Sequence, residues 1–177
     1  TPSTLYIYGH GVFKSTNRGA TWTPMSMGLP LKNIWDMAID ANAPSTLYVG
    51  LSDQGIFKST DGASSWVSMG AGLAPRETIM DLAIDPSNSS TIYAVGGNGV
   101  FKTADGGASW AVKNGGNSNF PATVSIAIDP SSPETLYIGF IGGVAKSVNG
   151  AESWSWAGDG LPTVDFPVDC LSIDPVT

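Results

Sequence analysis

Phe57-Lys58-Ser59-Thr60-Asp61-Gly62-Ala63-Ser64-Ser65-Trp66 reads as the end of one strand, a tight turn on Asp61-Gly62, and a second strand opened by tryptophan. The chain writes this stretch four times. Phe13 to Trp22 precedes it, and Phe101 to Trp110 and Ala145 to Trp154 follow. The four tryptophans, Trp22, Trp66, Trp110 and Trp154, stand 44 residues apart. A constant period in the range of about 20–50 residues is the mark of a repeat architecture and takes precedence over local assignments.

Aligned on that period, each repeat holds four short β-rich segments. The first type is Ile34 to Asp40, matched by Ile79 to Asp85, Thr123 to Asp129 and Val168 to Asp174. The second is Leu47 to Gly50, matched by Leu5 to Gly9, Ile92 to Gly96 and Leu136 to Phe140. The third is Gly55 to Ser59 with its counterparts, and the fourth starts at each tryptophan and runs into loops such as Gly28-Leu29-Pro30. Short segments punctuated by Gly, Pro, Asn and Asp predict an antiparallel four-stranded meander, and no window carries a helical period.

A sheet that is apolar on both faces cannot stand alone, and radial stacking buries both. The expected fold class is therefore all-β, a β-propeller of four-stranded blades with four blades of about 44 residues in the chain. The repeats fall at roughly 1–33, 34–78, 79–122 and 123–167 within a single 1–177 domain. The chain opens on a second-type strand and finishes on a first-type strand. Residues 168–177 are thus expected to complete the first blade and close the ring. The rival is a larger ring made by two such chains or by a longer parent.

Fifteen acidic residues against eight basic ones give a net charge of −7, and Lys14, Lys58, Lys102 and Lys146 are dispersed by the repeat. No basic patch is left to hold nucleic acid. The single Cys170 excludes an internal disulfide and a cysteine-based zinc site, and its apolar neighbourhood predicts a buried small hydrophobe. No apolar run is long enough for a membrane-spanning helix, so insertion is not expected. The first residue is Thr1 rather than Met, as in a processed mature form or a fragment.

The repeated stretch resembles the Asp-box, or BNR, pattern Ser-x-Asp-x-Gly-x-Thr-Trp. Its positions here are Ser15, Asn17 and Trp22; Ser59, Asp61 and Trp66; Thr103, Asp105 and Trp110; and Ser147, Asn149 and Trp154. The family includes sialidases, xyloglucan-cleaving glycosidases, sortilin-type receptors and photosystem II assembly factors. The adjoining Ile-x-x-Ala-Ile-Asp-Pro and Thr-Leu-Tyr-x-Gly segments are most similar to the last three. Asn17 and Asn149 depart from the Asp, Ala63 and Ala151 from the Gly, and Thr103 from the Ser. These box residues read as structural: the acid or amide closes the turn on backbone N–H groups, and the tryptophan packs between blades.

Topology then sorts the remaining residues. In a meander the boxes and the Ile-Asp-Pro turns share one face, while the links from second to third strand and from fourth strand to the next first strand share the other. That second face varies between repeats, and variable loops on a rigid scaffold are where binding is usually placed. It carries Asp36, Asp53, Glu77, Asp81, Asp159, Asp165 and Asp169. Asp36 and Asp81 take equivalent inner-strand positions, where Ser125 and Cys170 stand in the other repeats. They are the best pair for two-carboxylate glycoside hydrolysis, as the xyloglucan-cleaving resemblance implies. Hydrogen bonding to backbone N–H groups or channel water is the commoner use of such residues. An oxygen-bound cation in the channel is a further candidate, and no other cofactor is expected. A sialidase reading fails by counting, because that family uses three arginines and only Arg18 and Arg76 occur.

Binding candidates on the variable face are Trp35, His10, Asp53, Asn98, Phe120 and Phe166. Trp35 also suits core packing, and Trp156, on an outer strand, suits an assembly contact. The sequence reading is a non-catalytic, extracytoplasmic binding or assembly module for a protein or carbohydrate ligand. The alternatives are a fragment or relative of a glycosidase propeller and a structural subunit of a larger surface assembly.

Overall fold

The computed structural model describes residues 3–117, 121–162 and 166–174, and these contain fifteen strands and no helix. Blade 1 is β1 (Leu5–Tyr8), β2 (Val12–Ser15) and β3 (Thr23–Pro24). Blade 2 is β4 (Ile34–Ile39), β5 (Leu47–Leu51), β6 (Gly55–Ser59) and β7 (Val67–Ser68). Blade 3 is β8 (Ile79–Ile84), β9 (Ile92–Gly96), β10 (Gly99–Thr103) and β11 (Ala111–Val112). Blade 4 is β12 (Thr123–Ile128), β13 (Leu136–Phe140), β14 (Gly143–Ser147) and β15 (Ser155–Trp156). Every sheet is an antiparallel meander in chain order, as the repeat predicts.

The Asp box explains the turn between third and fourth strands. In blade 2, Ser59 Oγ donates to Asp61 Oδ1 at 2.8 Å and accepts the Ala63 amide at 3.0 Å. Asp61 Oδ1 then accepts the Ser65 amide at 2.9 Å. Ala63 and Ala151 sit at φ 72°, the left-handed conformation that the motif glycine would adopt more readily. The box also ties itself to the neighbouring link, since the Gly62 amide donates to the Ser45 carbonyl at 2.9 Å. The two turn types therefore share one face.

Between consecutive blades lies a separate apolar core. The first joins Val12 and Tyr6 of blade 1 to Leu47, Val49, Phe57 and Trp66 of blade 2. The second joins Tyr48 and Ile56 to Ile92, Ala94, Phe101 and Trp110, and the third joins Tyr93 and Val100 to Leu136, Ile138 and Ala145. Each tryptophan also ties the blades by a hydrogen bond. Trp66, Trp110 and Trp154 donate Nε1–H to the carbonyls of Met25, Met69 and Lys113 at 2.8, 2.8 and 2.7 Å. In return, Lys14, Lys58 and Lys102 reach forward to the carbonyls of Gly62, Gly106 and Gly150. Each of these ammonium groups lies over the ring of a tyrosine on the adjacent strand, about 5 Å from its centroid.

The fourth contact, from blade 4 back to blade 1, is not recorded among the described residues. There β1 pairs with β2 alone, and residues 168–174 form no strand. The C-terminal segment instead rests on blade 4. Ser125 Oγ donates to the Val168 carbonyl at 2.9 Å, and an isolated bridge joins Ile141 to Pro167. Cys170 is exposed, contrary to the expected burial; among the described residues no strand pairs with this segment.

Candidate functional site

Each inner strand of blades 2 to 4 opens with a register shift, between Ile34 and Asp36, Ile79 and Asp81, and Thr123 and Ser125. Such a bulge leaves ladder groups unpaired and re-aims the side chains beside it. Asp36, Asp81 and Ser125 resume the ladder opposite Gly50, Val95 and Gly139, which places them at equivalent positions as the sequence alignment expects.

The carboxylates face the next blade. Asp36 Oδ2 accepts the Leu82 amide at 3.0 Å, and Asp81 Oδ2 accepts the Ile126 amide at 2.8 Å. Asp81 Oδ1 accepts the Leu82 amide as well, at 2.8 Å, so the two acids converge on one N–H. Tyr8 donates its hydroxyl to Asp36 Oδ1 at 3.3 Å. Burial pushes the Asp81 carboxyl up to about 7; the amides of Ile126 and Leu82 oppose this, while the charge of Asp36 and a hydrogen bond to it add to it. The Tyr8 hydroxyl is also raised, chiefly by burial and then by Asp36.

Around this row lies the variable face. Trp35 is the extra residue of its bulge; it stands exposed rather than in the core, with Nε1–H donating to Ser52 Oγ at 2.7 Å. Asp53 occupies the left-handed region at φ 57°, pairs with Lys32 at 3.5 Å and donates its amide to Thr78 Oγ1 at 3.0 Å. His10 is exposed in the β1–β2 link and lines a hollow of about 310 Å³ with Tyr8 and Leu31. Phe166 is exposed, and its carbonyl accepts the Gly142 amide at 3.0 Å. Asn98 is committed to the scaffold: its amide and side chain both donate to the buried Glu77 carboxylate, and its carbonyl accepts from Asn114. Phe120 and Asp165 lie outside the described residues. Trp156 is exposed on the outer strand, edge-on to Phe140, with Nε1–H donating to Asp159.

Among the described residues, no three His, Cys, Asp or Glu side chains gather into a metal-binding group, so the channel cation finds no such cluster there. The lysine–tyrosine pairs serve packing and form no catalytic or binding motif. Their signal was nonetheless present, in Tyr6, Tyr48, Tyr93 and Tyr137 keeping step with the four repeat lysines.

Solved structures share this architecture. An ancestral GH74 enzyme is 25% identical with a TM-score of 0.73, over 90% of this chain and 23% of the enzyme. The GH74 xyloglucanase from Xanthomonas campestris is 18% identical with a TM-score of 0.75, over 98% of this chain and 32% of that one. YCF48 from Cyanidioschyzon merolae, a protein also known bound to D1 peptide, is 16% identical with a TM-score of 0.63, over 90% of this chain and 53% of its own. The chain thus spans about a quarter to a half of the length of these proteins. No curated protein matches it. Residues 3–160 match the profile of the DUF6242 beta-propeller domain, and the chain belongs to that family.

Proposed function

We propose that this propeller is a non-catalytic binding or assembly module that takes a protein or glycan ligand on the face of the β5–β6-type and blade-to-blade links. The observation that carries this reading is how the two acids are used. Asp36 and Asp81 hold backbone amides of the following blade, while Trp35, on the same face, stands exposed in an orientation fixed by Ser52. A rigid exposed aromatic is the kind of group that stacks on a sugar or anchors a partner. Its neighbours Leu31, Lys32 and Asp53 add apolar and charged contacts at one rim. Protein binding draws support from YCF48 bound to D1 peptide, and a location outside the cytoplasm from the resemblance to glycosidase and sortilin-type repeats.

A second reading is a relative of the glycoside hydrolase propellers, favoured by an Asp81 carboxyl held protonated up to about pH 7, as a general acid requires. Against it, the two acids converge on a single amide, whereas hydrolysis needs carboxyls about 5–9.5 Å apart flanking a bond. A glycan array followed by calorimetry with xyloglucan oligosaccharides and β-glucans separates the readings. Binding lost in Trp35→Ala and unaccompanied by hydrolysis supports the module. Hydrolysis abolished by Asp36→Ala would overturn it.

A further inference from the structure

On the variable face, the link that leaves a blade passes beside that blade's own second-to-third-strand link, and a hollow lies between them. In blade 1 it is the hollow of about 310 Å³ that His10, Gly11 and Ser26 line, with Leu31 on the outgoing link. One repeat later, Gly55, Gly70 and Arg76 take the places of Gly11, Ser26 and Leu31. This second hollow, of about 300 Å³, is also walled by Asp53, Gln54 and Glu77. At one junction the repeat has exchanged an exposed leucine for a guanidinium.

That guanidinium is a charge the scaffold does not use. Lys14, Lys58 and Lys102 donate to carbonyls, Lys146 lies over Tyr137, Lys32 pairs with Asp53, and Lys113 pairs with Glu152. Arg76 is exposed and, among the described residues, has no hydrogen-bond or ion-pair partner. The two acids beside it are engaged elsewhere. Asp53 is held by Lys32 at 3.5 Å, and the Glu77 carboxylate, 3% exposed, accepts from the amide and side chain of Asn98. The walls are fixed as well. Gly55 donates its amide to the Glu77 carbonyl at 2.9 Å, and Asp53 donates its own to Thr78 Oγ1 at 3.0 Å. Arg76 keeps φ 59°, a conformation arginine adopts only where its surroundings impose it.

A carboxylate matches the planar fork of an arginine with two parallel hydrogen bonds, which a neutral group cannot do. What carries the carboxylate follows from the neighbours. Trp35 hangs by its Nε1–H on Ser52, next to Asp53, so an exposed aromatic flanks the same link that walls the hollow. The chain has a net charge of −7, and Asp36, Asp53, Glu77 and Asp81 belong to this face. A segment bearing several negative charges would be repelled there, whereas one carboxylate on a neutral body would not. A flat apolar ring face beside a single carboxylate describes a uronic acid within a neutral glycan. We propose that the hollow between the 52–54 and 70–78 links is a subsite for a uronic acid, with its carboxylate on Arg76 and the adjoining sugar stacked on Trp35. This assignment names a ligand class for the binding face and rests on the binding-module reading. A volume of about 300 Å³ lies at the small end of ligand pockets, as a single sugar residue requires.

The test is an array of neutral glycans, the same glycans bearing glucuronic or galacturonic acid, and peptides ending in a free carboxylate, followed by calorimetry on the strongest glycan. Acidic glycans should bind about 10- to 100-fold more tightly than counterparts with CH2OH in place of the carboxylate, the range for hydrogen bonds to a charged group. The preference should shrink at high salt. Arg76→Asn, whose side chain tolerates the left-handed backbone, should abolish the preference and leave the thermal midpoint in place. Arg76→Lys should keep part of the preference, and Trp35→Ala should weaken acidic and neutral glycans alike. Equal binding of acidic and neutral glycans, binding of peptides only, or a preference that survives Arg76→Asn would each overturn the subsite while leaving the binding module standing. Binding to nothing on the array would overturn both.

Discussion

Asp81 Oδ2 accepts the backbone amide of Ile126, 2.8 Å away on the next blade, and so does by a side chain what a ladder hydrogen bond does within a sheet. Removing that acceptor leaves a partly buried N–H without a partner, which costs about 1–3 kcal/mol. Asp81→Ala is therefore expected to lower the unfolding free energy by that amount at pH 5, measured by urea titration. The loss should shrink above pH 7, where the wild type carries the cost of a buried charge and the variant does not.

Carboxyls on the two faces pull the pH dependence in opposite directions. Burial raises Asp81 to about 7, so its contribution is fully present below its unfolded value of about 4 and is lost as pH climbs through 7, on the order of 2–4 kcal/mol. Asp61 and Asp105 are lowered to about 2 by hydrogen bonds from Ser65 and Ser109, so theirs is present above about pH 4 and lost as pH falls to 2. The thermal midpoint should peak between about pH 4 and 5. A midpoint that only rises from pH 3 to 9 would contradict this assignment.

Asn17 and Asn149 show how the acid limb can be removed. Their Oδ1 accepts the amides of Thr21 and Ser153 as Asp61 accepts that of Ser65. Their Nδ2 donates to the Thr21 and Ser153 hydroxyls, reversing the bond that Ser65 donates to Asp61. The double variant Asp61→Asn, Asp105→Asn should keep the turn and lose less stability than the wild type between pH 4 and 2. Circular dichroism melts at both pH values check it.

Trp110 lies 5% exposed in the second inter-blade core and donates to the Met69 carbonyl at 2.8 Å. Trp110→Ala should cost about 3–5 kcal/mol, the range for a large aromatic removed from a core. Trp110→Phe keeps most of the apolar area and strands the carbonyl, for a loss nearer 1–2 kcal/mol. Equal losses in the two variants would mean that the hydrogen bond, not the packing, carries the residue.

The period of the tryptophans was enough to place the blades, because one residue type at one spacing fixes the turn, the strand that follows it and the interface it fills. The equivalence of Asp36 and Asp81 was legible for the same reason. What those acids touch was not, because the Leu82 and Ile126 amides lie on β8 and β12, the end strands of their sheets, and a reach from one blade to the strand edge of the next leaves no trace in composition. Trp35 illustrates the same limit: its place in the apolar run Ile34–Ile39 suggests a core, and the inserted register turns it outward. Cys170 was misjudged because an apolar run predicts burial only where another strand arrives to cover it.

The tryptophan-to-carbonyl and lysine-to-carbonyl bonds reach back 41 and forward 48 residues, so no blade is finished until the next one has been made. During synthesis the first blade would wait, incompletely wedged, for the box of the second to emerge, and each later blade would set the one before it. Unravelling should run in reverse, from the ends inward, with amide exchange fastest in β1 to β3 and slowest in β5, β6, β9 and β10.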